Sequence, residues 1–149
     1  MLIKDALQRS GVGISPDSTI FGAAGVMEAS GVGALAVIDN GHLVGIVTDR
    51  DLVRRGLARR APEGARVDSV MSSPVATIPG SANLDSAYGA FRVSGVRRLA
   101  VIDDDGSFEG MLTLDDLLLR VAEHLCDVTQ PVAREMTSPH RESPLPTRS

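Results

Sequence analysis

The chain has 149 residues, of which 43% are hydrophobic, a net charge of −4 and a single cysteine. This apolar content predicts a globular chain, and one cysteine excludes an internal disulfide and fits a reducing cytoplasm. Aromatic residues make up only 3% and the arginines are dispersed, which argues against an extended nucleic-acid surface. No apolar run approaches the roughly 20 residues of a membrane span, and the N-terminus lacks the apolar core of a signal peptide.

The chain repeats itself. We align the chain with itself so that residue 14 matches residue 78 and each following residue keeps the same offset. In this alignment the run Leu35–Asp39 is identical to Leu99–Asp103. One extra residue in the second copy then shifts the alignment, and the match resumes from Gly45 and Gly110 onward. Such self-similarity indicates an internal duplication and predicts two structural units of the same kind.

Each repeat begins with the same predicted elements. A short lead-in segment, Ile3–Leu7 in the first repeat and Val67–Met71 in the second, precedes a strand that reaches Ile14 or Ile78. An amphipathic helix follows, with apolar residues spaced i, i+3, i+4 and i+7. These residues are Ile20, Ala23, Ala24 and Met27 in the first repeat, and Leu84, Ala87, Tyr88 and Phe91 in the second. The candidate N-caps are Asp17 or Ser18, and Ser81 or Asn83, and the glycines expected to end the helices are Gly31 and Gly95.

Two antiparallel strands come next in each repeat. The turns Asp39–Gly41 and Asp103–Gly106 lie between apolar runs, which is the pattern of a β-hairpin. A closing helix completes each repeat, and Arg59–Ala65 reads as the linker between them. After Cys126 the composition changes, and an extended tail is expected over residues 127–149. Its prolines are Pro131, Pro139, Pro144 and Pro146.

The turn into each closing helix carries the residues best suited to bind a ligand. A strand stops at Thr48, or at Thr113 in the second repeat, and an aspartate follows three residues later, Asp51 or Asp116. A threonine here can cap the helix, and a helix start favours a bound phosphate through its exposed N–H groups and its dipole. Two interpretations stay open: these residues act only as caps, or they also contact a ligand.

The order β-α-β-β-α, the Gly-x-x-Thr-x-x-Asp-Leu turn and the run Gly95–Asp103 resemble the cystathionine-β-synthase (CBS) domain. The resemblance implies an α/β (α+β) fold of two CBS repeats, residues 1–62 and 67–126, packed by their sheets about a pseudo-twofold axis. Such tandem pairs are regulatory modules that bind adenosyl ligands: AMP, ADP, ATP, NAD, S-adenosylmethionine or, in some members, cyclic di-AMP. Two modules commonly pair into a homodimer.

The resemblance also implies roles for individual residues. Thr48 and Thr113 would contact phosphate or ribose, and Asp51 and Asp116 would accept hydrogen bonds from ribose hydroxyls, which suits a carboxylate chemically. The strands around Ile14 and Ile78 would contact the adenine.

The two turns are not equivalent in charge. The first carries Asp49 and Arg50 where the second has Leu114 and Asp115, and the second repeat has Arg97 and Arg98 where the first has Gly33 and Ala34. The second helix start is therefore more acidic and less suited to phosphate. We expect a phosphate-bearing ligand contacted by one or both of Arg97 and Arg98, although the same pair could simply be solvated at a strand end.

Catalysis and metal binding have little support in the sequence. The three histidines, His42, His124 and His140, are far apart, and no nucleophile motif or phosphate-binding glycine loop occurs. We therefore predict a cytoplasmic, non-enzymatic sensor that binds an adenosyl ligand between its repeats, needs no cofactor and forms a homodimer. The alternative is a structural or protein-interaction module with empty pockets that acts through dimerisation and an unknown protein partner.

Overall fold

The computed structural model of the chain describes residues 1–7 and 11–137. It contains two three-stranded sheets, ordered β1-β2-β3 and β4-β5-β6, together with five α-helices. The predicted mixed α+β class with two repeats is thus confirmed. The chain divides into two compact units, which are Met1–Leu114 and Asp115–Ser149. Both sheets lie in the first unit.

The elements follow the same order in both repeats. The first repeat contains α1 (Ile3–Ala6), β1 (Gly13–Ile14), α2 (Ile20–Ser30), β2 (Ala34–Asp39), β3 (His42–Thr48), α3 (Asp49–Asp51) and a π-helix (Leu52–Leu57). The second contains a 3-10 helix (Val67–Ser69), β4 (Thr77–Pro79), α4 (Leu84–Ser94), β5 (Arg98–Ile102), β6 (Phe108–Thr113) and α5 (Leu114–Thr137).

Each sheet combines one parallel and one antiparallel pair. The strand before the helix runs parallel to the strand after it, as β1 does to β2 and β4 to β5. The hairpin partner then runs antiparallel. In the first hairpin Asn40 and Gly41 both have positive φ, 50° and 81°. Two consecutive left-handed residues form the turn whose twist matches that of the strands, so this hairpin prediction is confirmed.

The helix caps agree with the sequence except at one position. The N-cap of α2 is Thr19, whose hydroxyl accepts the N–H of Gly22 at 3.0 Å, and not Asp17 or Ser18. The helix begins at Ile20, so Thr19 occupies the N-cap position, and the Asp17 carboxylate instead accepts a hydrogen bond from Ser15. Asn83 caps α4 as predicted. The predicted C-terminal glycines Gly31 and Gly95 also end their helices, both in the left-handed region.

The core is formed by the predicted apolar faces without Ala24 and Tyr88, which are exposed. In the first repeat the buried cluster brings α2 against β2 and β3, and it also includes Val67 and Val70 from the lead-in of the second repeat. Fully burying one such aliphatic side chain contributes about 1.5–3 kcal/mol. The members of this cluster are Ile20, Ala23, Met27, Leu35, Val37, Val47, Val67 and Val70.

The lead-in segments are exchanged between the repeats. The N–H of Ile3 donates to the carbonyl of Ala82, and the N–H of Val67 donates to the carbonyl of Ser18, both at 2.8 Å. The next bonds correspond in the same way: Lys4 to Gly80 at 3.0 Å and Asp68 to Pro16 at 3.1 Å. Because each bond in one repeat has its counterpart in the other, the two halves are related by a pseudo-twofold operation.

The helix α5 differs from the sequence expectation. It continues to Thr137, so the extended tail predicted from residue 127 is wrong for residues 127–137. No glycine interrupts the helix, and the single Pro131 removes one backbone donor without forcing the chain to stop. Residues 138–149, with the remaining three prolines and His140, lie outside the described residues.

Candidate functional site

The strand β3 ends at the predicted threonine turn. Thr48 is the N-cap of the following helix: its hydroxyl oxygen accepts the N–H of Asp51 at 3.1 Å. In return the Oδ2 atom of Asp51 accepts the N–H of Thr48 at 3.0 Å. The two residues therefore form a reciprocal capping box, which satisfies two backbone donors at the helix start.

This cap leaves part of both side chains available. The bond to Thr48 uses only Oδ2 of Asp51, and the carboxylate is half-buried, so Oδ1 can accept from a ligand. The Thr48 hydroxyl accepts within the cap and can still donate its proton outward. Capping and ligand binding are thus compatible at this turn.

The second lead-in crosses β3 close to this turn. Ile46 and Ser72 exchange two backbone hydrogen bonds, of 3.0 and 2.8 Å. Gly45 allows this approach, because a Cβ atom there would collide with the Met71 side chain and lie 3.1 Å from the Ser72 carbonyl oxygen. The crossing carries the chain from the first repeat towards the start of β4, and so places second-repeat residues beside Thr48.

A cavity of about 290 Å³ lies at this junction. Its volume is close to the lower end of the range typical of small-molecule sites, about 300 Å³. The first repeat supplies the end of β3, and the second supplies the segment before β4 and the start of β5. The lining residues are Ile46, Thr48, Ser72, Pro74, Val75, Ala76, Val96, Arg97 and Arg98.

The structure thus brings together three of the predicted site residues, Thr48, Arg97 and Arg98. Arg97 and Arg98 are the charged residues in the lining, and both belong to the second repeat. Arg98 is half-buried, and within residues 1–7 and 11–137 its guanidinium forms no hydrogen bond or ion pair. A cation held this way at the wall of a cavity is available to an anionic ligand.

Other predicted site residues lie away from this lining. Ile78 is only 5% exposed, and Ile14 packs against the first core cluster. Asp49 and Arg50 are exposed in α3, where the Oδ1 atom of Asp49 accepts the N–H of Arg50 at 2.8 Å. The adenine role of Ile14 and Ile78 stays a prediction that the cavity lining does not support.

The equivalent turn of the second repeat joins the end of β6 to the start of α5. Thr113 ends β6 opposite Arg98 in the strand register, and Asp116 lies in the first turn of α5. Neither residue lines the cavity, so the ligand roles predicted for both stay predictions.

Sequence reasoning missed the apolar wall of the cavity. Val75 and Ala76 stand just before β4, whereas the sequence suggested contacts around Ile78, inside the strand. The parallel pairing of β4 with β5 sets Thr77 opposite Ala100, so the residues just before β4 run beside the start of β5.

Other kinds of site have little support among the described residues. Among the described residues, no group of three histidine, cysteine, aspartate or glutamate side chains could hold a metal ion. In the same part of the chain no helix is long and apolar enough to cross a membrane. The thiol of Cys126 is exposed.

Comparison with known proteins identifies relatives of both repeats. The family model described as "CBS domain" matches residues 3–58 and again residues 67–123. The CBS domain-containing protein YhcV of Bacillus subtilis is 31% identical over 115 residues, which cover 77% of this chain and 81% of YhcV. The uncharacterised protein MK0525 of Methanopyrus kandleri is 30% identical over 106 residues, 70% of this chain but only 54% of that longer protein.

Solved structures share the fold. The crystal structure of the CBS domain NE2398 superposes with a TM-score of 0.71 at 31% identity, covering 82% of this chain and 98% of that one. The CBS domain protein PAE2072 from Pyrobaculum aerophilum, which was solved in complex with AMP, gives a TM-score of 0.70 at 22% identity. That match covers 83% of this chain and 99% of the other.

Proposed function

The chain belongs to the CBS domain family as a tandem pair, a regulatory rather than catalytic module, and we propose that it binds an adenosyl ligand in the cavity between its repeats. The observation that carries this proposal is the joint lining of the cavity by both repeats, with Thr48 from one and Arg98 from the other. A ligand there contacts both halves at once. The AMP bound by PAE2072, a protein of the same fold, supports this ligand class.

Each part of such a ligand has a chemically suitable partner. Val75, Ala76 and Val96 offer an apolar wall for the adenine ring. Asp51 does not line the cavity itself but is hydrogen-bonded to Thr48, which does, and its free Oδ1 atom can accept from a ribose hydroxyl, as the family resemblance implies.

Regulation follows from the position of the ligand. A molecule that binds both repeats stabilises one arrangement of them over others, in proportion to its differential affinity. In this proposal the chain acts in the cytoplasm as a homodimer, and ligand binding shifts the equilibrium between two arrangements of the dimer. A protein partner would then bind one of these arrangements in preference to the other.

Isothermal titration calorimetry tests the proposal. Wild-type protein is titrated with AMP, ADP, ATP, NAD, S-adenosylmethionine and cyclic di-AMP. We expect binding of at least one of them, and weaker binding by Asp51→Ala. The matched control is Asp85→Ala, an exposed carboxylate in the first turn of α4. Failure of every ligand to bind at millimolar concentration would remove the proposal.

A second candidate is a module that acts only through protein contacts. The observation in its favour is the exposure of apolar residues along α5, namely Leu118 at 56%, Leu125 at 57% and Val128 at 57%. Analytical ultracentrifugation of the full chain and of a chain ending at residue 126 distinguishes the two candidates. A protein that binds no nucleotide but loses its dimer on truncation would favour the second.

A further inference from the structure

One wall of the cavity is a short segment of the second repeat, residues 72–76, which we call the wall segment. Ser72, its first residue, pairs with Ile46 of β3 through two backbone hydrogen bonds. Ala76, its last residue, accepts the N–H of Ala100 in β5 at 3.0 Å. The three residues between them form no hydrogen bond with the part of the chain that the structure describes. The shape of the wall segment therefore depends on how firmly its two ends are held.

An arginine of the first repeat binds the chain immediately before the wall segment. The Nη1 atom of Arg55 donates to the carbonyl oxygens of Val70 and Met71, at 3.2 and 3.0 Å. The positive charge of the guanidinium strengthens both bonds, and the bond to Val70 is partly buried. Among the described residues, Arg55 alone donates to these two carbonyls. Arg55 thus holds the two residues that lead into Ser72.

Arg55 lies on the helix that begins at the threonine turn. It belongs to the π-helix Leu52–Leu57, whose N-cap is Asp51. Asp51 is also the residue that forms the capping box with Thr48, which lines the cavity. Turns of π-helix are rare and occur frequently at functional sites. The same stretch of helix therefore follows a cavity-lining residue at its start and carries, further along, the side chain that anchors the wall segment.

We infer that Arg55 is a positioning residue for the cavity: it holds the wall segment in the shape that accepts the ligand, and so raises ligand affinity without contacting the ligand. Arg55 is not part of the cavity lining, and its effect passes through the carbonyls of Val70 and Met71 to Ser72. The same bonds connect the helix that begins at Thr48 with the second repeat. The inference rests on the proposed function, since it concerns the same cavity.

Amide hydrogen exchange, followed by NMR without ligand, tests whether Arg55 holds the wall segment. In Arg55→Ala the amides of Ser72 and Ile46 should exchange about 3- to 10-fold faster than in the wild type, as expected when hydrogen bonds of ordinary strength are lost. The buried amide of Ala36, which donates to the carbonyl of Val12 in the first sheet, should keep its wild-type rate. The matched control is Arg54→Ala, which removes the same charge from the exposed neighbour in the same helix and should change neither rate.

Calorimetric titration with AMP, or with the adenosyl ligand that the wild-type chain binds most tightly, tests the effect on affinity. Arg55→Ala should weaken binding about 3- to 10-fold, because the free protein must first order its wall segment. Arg55→Lys keeps a cationic donor on a long side chain and should recover part of the affinity. Arg54→Ala should bind as the wild type does. Thermal unfolding of each variant verifies that it is folded at the temperature of the titration.

Three results would overturn the inference while leaving the proposed function standing. The first is unchanged exchange at Ser72 in Arg55→Ala, or an equal increase at Ala36, which would mean that Arg55 stabilises the whole fold. The second is wild-type ligand affinity in Arg55→Ala. The third is an equal loss of affinity in Arg54→Ala, which would assign the effect to charge rather than to the two hydrogen bonds. Wild-type protein that binds no adenosyl ligand would instead remove the proposed function, and faster exchange at Ser72 in Arg55→Ala would still show that Arg55 holds the wall segment.

Discussion

The N–H of Ile3 lies 2.8 Å from the carbonyl oxygen of Ala82, so the first helix of the chain is bonded to the second repeat. Val67 makes the corresponding bond to Ser18 in the first repeat at the same distance. Ile3 and Val67 are both fully buried. Each repeat is therefore completed by a segment that precedes the other in sequence, and we expect the two to unfold in a single transition.

Replacement of Ile3 tests this exchange. Ile3→Ala should lower the free energy of unfolding by about 2–5 kcal/mol, the usual cost of truncating a buried aliphatic side chain. Urea denaturation should still show one transition. The neighbouring Leu2, 37% exposed, is the control, and Leu2→Ala should have a much smaller effect. A separate early transition for one repeat would contradict the interdependence of the two halves.

Two glycines should respond to alanine in opposite directions. Gly45→Ala should destabilise the protein by about 1–3 kcal/mol, because its Cβ would overpack the crossing at Met71 and Ser72. Gly25, in α2, has no atom within 4 Å of its Cβ position, so Gly25→Ala should stabilise by about 0.5–1 kcal/mol. Thermal unfolding measures both. An unaffected Gly45→Ala variant would show that the lead-in does not cross there.

The capping box of Thr48 and Asp51 should contribute to stability without any ligand. Thr48→Ala removes one acceptor from the helix start and should cost about 1 kcal/mol, whereas Thr48→Ser, which keeps the hydroxyl, should cost less. Chemical denaturation of Thr48→Ala, Asp51→Ala and the double variant completes a double-mutant cycle, with Thr48→Ser measured alongside. Strictly additive effects would show that the two caps do not depend on each other.

The pKa of the Asp17 carboxyl should lie below its ordinary value. The hydrogen bond from Ser15 lowers its pKa, and the charge of Arg66 lowers it further. A carboxyl whose pKa is depressed on folding stabilises the protein above its unfolded pKa, and this is lost as pH falls through the folded pKa. NMR titration should show the pKa of Asp17 rising in Ser15→Ala and not in Ser18→Ala. An unchanged pKa in Ser15→Ala would rule out Ser15 as the cause.

The candidate site was predictable only in its parts. Thr48 and Asp51 follow from a local rule, since a capping threonine and an acidic residue three positions later interact within one helical turn. Arg97 and Arg98 could be identified because the first repeat has Gly33 and Ala34 at the equivalent positions. Their place in the same cavity lining as Thr48 did not follow from any spacing in the chain, and neither did the wall formed by Val75 and Ala76.

The sequence by itself determined the duplication, the order of the elements, the hairpin turn at Asn40-Gly41 and the glycines that end α2 and α4, because these depend on periodicity and on bonds between near neighbours. Only the tertiary structure decided that the lead-ins are exchanged, that Arg98 of one repeat and Thr48 of the other line one cavity, and that α5 continues to Thr137. Such contacts join residues far apart in the chain. These contacts form because apolar surfaces and backbone donors left unsatisfied within each half must find partners elsewhere in the fold. A local sequence pattern does not specify those partners.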